Sequence, residues 1–227
     1  MSCTKNRLIK NCEPNLFIAA NNDLIGQHMT REVLKKTQTG NVVILAGDKY
    51  DRNAVELQDA IDKEIAPLVE SGQLKVLYKT FIEEWSDHNA TYEFEQFLSL
   101  SGEKPDIVFA GYDGIAESVI HMLERNNLME NVYITGQDAE LRAIKNIIDG
   151  KQVMTVFHPL KEIAYQVAEL AVNLGNDKMP EKSELSYINN GLIDVPTIKM
   201  NSKAVTIENI DEVLIKSGTY TKEEVYN

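Results

Sequence analysis

Short runs of apolar residues alternate along the chain with longer segments in which apolar positions recur every three or four residues. The runs are 16–20 (LFIAA), 41–47 (NVVILAG), 74–80 (LKVLYKT), 106–111 (DIVFAG), 132–136 (VYITG) and 153–157 (VMTVF). Nearly continuous apolar character over so few residues predicts strands covered on both faces. Helical spacing predicts a helix over 23–37, with Leu24, Ile25, Met29, Val33 and Leu34 on one face, and another over 53–71, with Val55, Leu57, Ile61, Ile65 and Leu68. Further helices are expected over 118–126, 141–149 and 162–174. Gly40, Gly72, Gly102 and Gly150 follow the expected helix ends, where a left-handed cap favours glycine. Strands alternating with helices of this length imply right-handed crossovers and an α/β fold, a doubly wound parallel sheet with helices on both faces. After Leu174 the pattern breaks into a polar, extended stretch, 175–206, with two prolines. It suits a crossing or hinge segment, and one last helix is expected over 207–216.

Composition narrows the class. The chain has 227 residues, 43% of them hydrophobic and 26% charged, which is the make-up of an ordinary globular protein with a sizeable core. A formal charge of −12 disfavours a bulk electrostatic grip on nucleic acid, which needs clustered Lys and Arg. It suits a neutral or cationic small ligand instead. No stretch approaches the roughly 20 apolar residues of a membrane span, and the first fifteen residues carry no apolar core from which a signal peptide could be read. Two cysteines, Cys3 and Cys12, are too few for a disulfide framework or a zinc site and are expected as free thiols.

In open parallel sheets, ligands bind beyond the carboxyl ends of the strands. The residues there are polar: Asn21 and Asn22, Asp48 and Lys49, Trp85, Tyr112 and Asp113, Gln137 and Asp138, and His158. Planar groups that donate and accept two hydrogen bonds each, with one indole to cover an apolar face, form the complement of a hydroxyl-rich ligand such as a sugar. Each residue also has a plainer role open to it. Asp113 and Asp138 suit helix N-caps, Trp85 suits core packing, His158 suits a loop before Pro159, and Asn21 and Asn22 suit turns. The four histidines show no paired ligand spacing, and no GxGxxG, Walker or GxSxG motif follows a strand. NNDLIG is a weak match to an aspartyl phosphate site. No metal, no cofactor and no catalysis are expected; an α/β enzyme with Asp113 or Asp138 as base would need a partner acid, nucleophile or metal ligand.

GDKYDRNAVEL, the Trp85 segment, YDGIAE, TGQDAE, MTVFHPL, NNGLIDVP and VLIKSG, in that order, resemble the type I periplasmic sugar-binding proteins, and among them the xylose-binding proteins of ABC transporters. The likeness runs from about Arg7 to Gly218; TGQDAE and NNGLIDVP are its most specific parts. The resemblance implies two doubly wound lobes that close over a monosaccharide, a pentose by the xylose-binding likeness, with Asn21, Asn22, Trp85, Tyr112, Asp113, Asp138 and His158 at pocket positions. Trp85 is then a stacking wall, and Asp113 and Asp138 accept from sugar hydroxyls. It also implies an extracytoplasmic location and, as partner, an ABC permease or the extracytoplasmic domain of a sensor kinase. Against the family pattern, Asn21-Asn22 replaces Asp-Asn, Tyr112-Asp113 replaces Asn-Asp, and His158 replaces Lys. The same fold serves effector domains of LacI-type regulators, which carry a basic DNA-binding motif ahead of it.

By this resemblance the opening of the first lobe, about a hundred residues, has no counterpart. The expected organisation is a remnant and crossing segment over 1–15, a second lobe over 16–157, a helix and strand of the incomplete first lobe over 158–190, and a final crossing with a C-terminal helix over 191–227. The stripe Ile163, Val167, Leu170, Ala171 and Leu174 is then expected to lie uncovered and to support a homodimer. A scaffold that no longer holds sugar is the other outcome of such a truncation.

Overall fold

The computed structural model describes residues 3–227. Seventeen principal elements follow one another. They begin β1 (Cys3–Lys5), β2 (Leu16–Ala20), α1 (Asn22–Leu34), β3 (Gly40–Ala46), α2 (Arg52–Glu70), β4 (Leu74–Phe81) and α3 (Asp87–Ser101). There follow β5 (Ile107–Ala110), α4 (Asp113–Arg125), β6 (Tyr133–Thr135), α5 (Leu141–Ile148), β7 (Thr155–Phe157) and α6 (Leu160–Gly175). The last are β8 (Ser186–Asn189), β9 (Asp194–Met200), β10 (Lys203–Val205) and α7 (Lys222–Tyr226). The chain divides into two units, one built from the residues up to Asn21 with His158–Ser202, the other from Asn22–Phe157 with Lys203–Asn227.

In the larger unit a parallel sheet runs in the order β4-β3-β5-β6, extended by a bridge from Thr135 to Met154. The antiparallel pair β7 and β10 follows the same chain segment. The order turns back on itself at β3, so the crossovers lie on both faces, as in other doubly wound sheets. Val42 to Ala46 and Ile107 to Ala110 are all buried, because helices cover them on either side. On one side α3 and α4 contribute Phe94, Phe97, Ile115, Val119 and Leu123 to a core with Val43, Leu45 and Val108. The other side has α1 and α2, which bury Ile25, Met29, Val33, Leu57, Ile61 and Ile65. The edge strand β4 places Lys75 and Lys79 in ion pairs with Glu103 and Asp62, charges of the kind that blunt an edge against further pairing.

No expected helix range covers α3, although Gly102 is among the expected helix-end glycines. Ser86 caps its start by accepting from Asn89 N, and Gly102, at φ 62°, caps its end. Its buried stripe is only Ala90, Phe94 and Phe97, sparse among polar neighbours. Gly40 is not a helix cap: it opens β3 at φ 131°, where a Cβ would meet the Asp106 carboxylate at 2.7 Å. The helix expected over 207–216 is a π-helical turn, Asp211–Ile215, and the acidic end adds α7, opened by a Thr221–Glu224 capping box. Ile210, Val213, Leu214 and Val225 pack with Ile144 and Ile147 in one cluster.

In the smaller unit the sheet order is β1-β2-β9-β8. Leu16–Ala20 therefore leaves the lobe expected over 16–157: it pairs with β9 from Phe17↔Thr197 to Ala20↔Met200. The stretch expected to be a crossing segment supplies three strands, two of which, β8 and β9, join this sheet. Asn190 sets their turn, its Oδ1 accepting from Leu192 N and Ile193 N at 3.0 Å. Its Nδ2 donates to Ile9 O and Cys12 O, tying the 1–15 segment to the hairpin. The expected uncovered stripe of α6 is not uncovered. Ile163 and Leu174 are 7% and 2% exposed and pack with Leu16, Ile18 and Met200, while Val167 and Leu170 lie against the same cluster. β2 and β9 form the sheet beneath this stripe, so Ile163 and Leu174 are interior and Val167 and Leu170 half-buried, while Ala171 is exposed. Leu160, Tyr165 and Val172 are the large apolar residues that α6 exposes.

Candidate functional site

Trp85 owes its place to a tight exit from β4. The turn Glu83–Trp85 puts Glu84 and Trp85 at φ 57° and 55°, and Asp48 Oδ2 accepts from Glu84 N at 2.7 Å. Ile82 N donates to both Ala46 O and Gly47 O at 3.1 Å. This folds the indole across the carboxyl end of β3, where a Cβ on Gly47 would lie 2.2 Å from three of its ring carbons. Only a residue without a side chain admits the ring there. The indole is half-buried and meets Tyr112 edge-on, centroids 6.1 Å apart and planes at 75°.

The Tyr112 hydroxyl donates to Asp87 Oδ1. Burial first, and then that bond and the Asp87 charge, push the phenol well above its ordinary pKa. Asp87 Oδ2 lies 3.4 Å from Arg142, and Arg142 Nε donates to Glu140 Oε2 at 2.6 Å. Asp87, Glu140 and Arg142 thus join the edge, and the sequence pattern did not single them out. Asp87 stood inside the Trp85 segment, but its bond to Tyr112 depends on α3, which that pattern lacks.

Asp113 is 1% exposed and turned inward. Oδ1 accepts from Gln152 Nε2 at 3.0 Å, and Oδ2 accepts from Glu140 N at 2.8 Å and Thr155 Oγ1 at 2.9 Å. Burial raises its pKa to about 8 against these three donors, which act the other way. Its oxygens are engaged by the protein rather than offered outward, so it neither caps its own helix nor presents a free acceptor. Asn22 is similar: 4% exposed, its amide donates to Asn53 Oδ1 and Glu56 Oε2, joining α1 to the start of α2.

Asp138 is exposed, on a loop with two consecutive left-handed residues, Asp138 at φ 95° and Ala139 at φ 54°. The surrounding protein lifts its carboxyl above the ordinary range, the Glu140 charge adds to this, and a bond from the Gln137 side chain opposes it. At the carboxyl edge of the larger unit, Trp85, Tyr112 and Asp138 therefore form the accessible row, with Asp113 beneath it. Asn21 and His158 belong to the smaller unit. Asn21 Nδ2 donates to Asn201 Oδ1 at 2.9 Å. His158 Nδ1 shares a 2.9 Å bond with Ser202 Oγ, and burial lowers its pKa, which favours the neutral ring at pH 7. Among the described residues no group of three or more His, Cys, Asp and Glu is placed to hold a metal ion. No helix among them is long and apolar enough to cross a membrane.

A family model described as a periplasmic binding protein domain matches residues 4–179. The D-xylose-binding periplasmic protein of Haemophilus influenzae is 35% identical over 222 residues, 97% of this chain and 66% of that protein. Its Escherichia coli K12 counterpart is 32% identical over 96% of this chain and 66% of its own length. The chain thus spans just under two thirds of these relatives. Among solved structures, a carbohydrate transporter solute-binding protein from Chloroflexus aurantiacus, in complex with D-glucose, aligns with a TM-score of 0.85 at 25% identity, over 98% of this chain and 73% of that one. An ABC transporter solute-binding protein from Clostridium phytofermentans, with bound β-D-glucose, aligns with a TM-score of 0.82 at 26% identity, over 98% and 74%.

Proposed function

The chain belongs to the family of periplasmic binding protein domains, of type I and sugar-binding kind, and on that premise we propose that it binds a monosaccharide without transforming it. The observation that carries the proposal is the wall made by Trp85 and Tyr112 at the strand ends, beside the exposed loop that carries Asp138. An indole face covers the C–H side of a pyranose, and a carboxylate accepts from two of its hydroxyls, so the two together recognise a sugar ring and little else of that size. D-Xylose leads the candidates because two relatives carry that name; D-glucose follows from two solved neighbours. The protein serves extracytoplasmic uptake with an ABC permease or reports to a membrane sensor kinase.

Of the expected contacts we propose Trp85, Tyr112 and Asp138 in the larger unit and set aside Asn22 and Asp113, whose polar atoms are engaged within that unit. Asn21 and His158, in the smaller unit, are contacts that the resemblance alone implies. Titration calorimetry against D-xylose, D-ribose, L-arabinose, D-glucose and D-galactose tests the reading. Binding of one pentose that weakens at least about tenfold in Trp85→Ala and in Asp138→Asn supports it, a loss of the size expected for one charge-assisted bond or one stacking face. Absence of heat with every sugar, from protein with native circular dichroism, overturns it.

A further inference from the structure

The loop that carries Asp138 is unfavourable on its own terms. Two consecutive non-glycine residues at positive φ persist only where their surroundings fix them. Each link of the loop is fixed from beneath. Asp113 N donates to Gln137 O at 2.9 Å, and Asp138 N donates to Val156 O at 2.8 Å. Ala139 N donates to Thr155 Oγ1 at 3.1 Å, and Glu140 N donates to Asp113 Oδ2 at 2.8 Å. Thr155 Oγ1 in turn donates to that same Oδ2, so one buried carboxylate oxygen gathers both ends of the left-handed step. Gly136 makes room for it: a Cβ there would lie 2.1 Å from Asp113 Oδ1 and 2.6 Å from Gln152 Nε2. From above, the Tyr220 hydroxyl donates to Ala139 O at 3.0 Å.

We propose that Asp113 and Thr155 are positioning residues, an internal clamp that fixes the direction of the Asp138 carboxylate and so sets sugar affinity without touching the sugar. The affinity part rests on the sugar-binding reading above; the clamp itself does not. Thr155 is the informative site because its hydroxyl makes both links, and serine retains that hydroxyl while valine removes it at nearly constant volume.

The test compares the wild-type chain with Thr155→Val and Thr155→Ser by amide hydrogen exchange without ligand and by calorimetry with D-xylose. The clamp predicts that valine accelerates exchange at Ala139 and Glu140 by roughly tenfold or more, the loss of about one buried hydrogen bond. Phe109, in the core strand β5, keeps its rate, and serine restores slow exchange. Affinity for D-xylose falls by a similar factor in the valine variant and recovers in the serine variant. Equal exchange at Ala139 and Glu140 in wild type and valine variant overturns the clamp. So does acceleration that spreads equally to Phe109, which marks a general loss of stability. A clamp seen by exchange, with wild-type protein that binds none of the sugars, overturns the functional reading and the affinity claim but leaves the clamp standing.

Discussion

Gly47→Ala is the smallest change that should disturb the candidate site. The new Cβ would stand 2.2 Å from Cη2, Cζ2 and Cζ3 of Trp85, whereas carbon atoms in contact sit about 3.5–4.0 Å apart. The ring must therefore withdraw by about 1.3 Å or more. It cannot do so by a flexible tip, because an indole is rigid and its backbone is held at φ 55° by the tight turn after β4. Gly47 itself is not in the left-handed region, so alanine meets no backbone penalty and the effect is steric alone. Overpacking of this kind costs about 1–3 kcal/mol, and the edge contact with Tyr112 is worth about 0.5–1.5 kcal/mol more. We expect a loss of roughly 2–4 kcal/mol in unfolding free energy. Trp85 is the single tryptophan, so its emission reports on this seat alone. Urea unfolding followed by that emission and by far-ultraviolet circular dichroism gives both readings, with a red-shifted folded-state spectrum in the variant. Introducing Gly47→Ala into a Trp85→Ala background should then cost almost nothing, since the clashing group is gone. An unchanged emission maximum together with an unchanged midpoint would refute the seating of the indole over Gly47.

Three further outcomes follow from other parts of the molecule. The raised pKa of Asp113 implies that the unfolded chain ionises first, from the ordinary value of 3.8, and the folded chain only near about 8. Its contribution is therefore full below pH 4 and is lost as pH rises through about 8, by at most about 6 kcal/mol. Asp113→Asn removes this dependence, so the difference between wild-type and variant unfolding curves should slope from pH 5 to 8.5, with Asp138 and His158 cancelling in the subtraction; parallel curves contradict it. Gly26→Ala places a Cβ 2.6 Å from that of Ala60, where α1 and α2 touch. The clash should outweigh the helix-propensity gain of about 1 kcal/mol, so the melting temperature falls, and a rise would show that the helices can part at little cost. Ile163→Ala should lower stability by about 2–4 kcal/mol through a cavity between α6 and β2 and leave the sedimentation coefficient unchanged. A dimer dissociating in this variant would return the α6 stripe to the surface.

Much of the larger unit was legible from hydrophobic period alone, because its strands are covered on both faces and its helices carry long apolar stripes. The strands over 41–47, 106–111 and 132–136 sit within a residue or two of β3, β5 and β6. What period does not carry is partnership. LFIAA reads like any other buried strand, but its neighbour in the sheet is β9, whose DVPTIKM buries only Val195, Thr197 and Met200. A proline and a lysine at half-buried positions hide that alternation, so the stretch reads as a linker. Without β9 the pattern gives α6 no surface to cover, and its apolar stripe reads as exposed. The expected linker and the expected exposure of the α6 stripe share that one cause.

The candidate site shows the same limit at the scale of single side chains. Position after a strand identified Trp85, Tyr112, Asp113, Asp138 and Asn22 as candidates, and all of them do stand at the ends expected. Direction is a property of the partners. Asn22 faces inward because Asn53 and Glu56 lie one helix away, and Asp113 because Gln152, Thr155 and the Glu140 amide converge on it from segments 27 to 42 residues distant. Asp138 lies on an exposed loop whose left-handed residues are bonded to the same cluster through Ala139 N and Glu140 N. A carboxylate at a strand end thus has two fates, one buried among protein donors as at Asp113 and one on an exposed loop as at Asp138, and which it meets is decided by hydrogen-bond donors that lie far away in sequence.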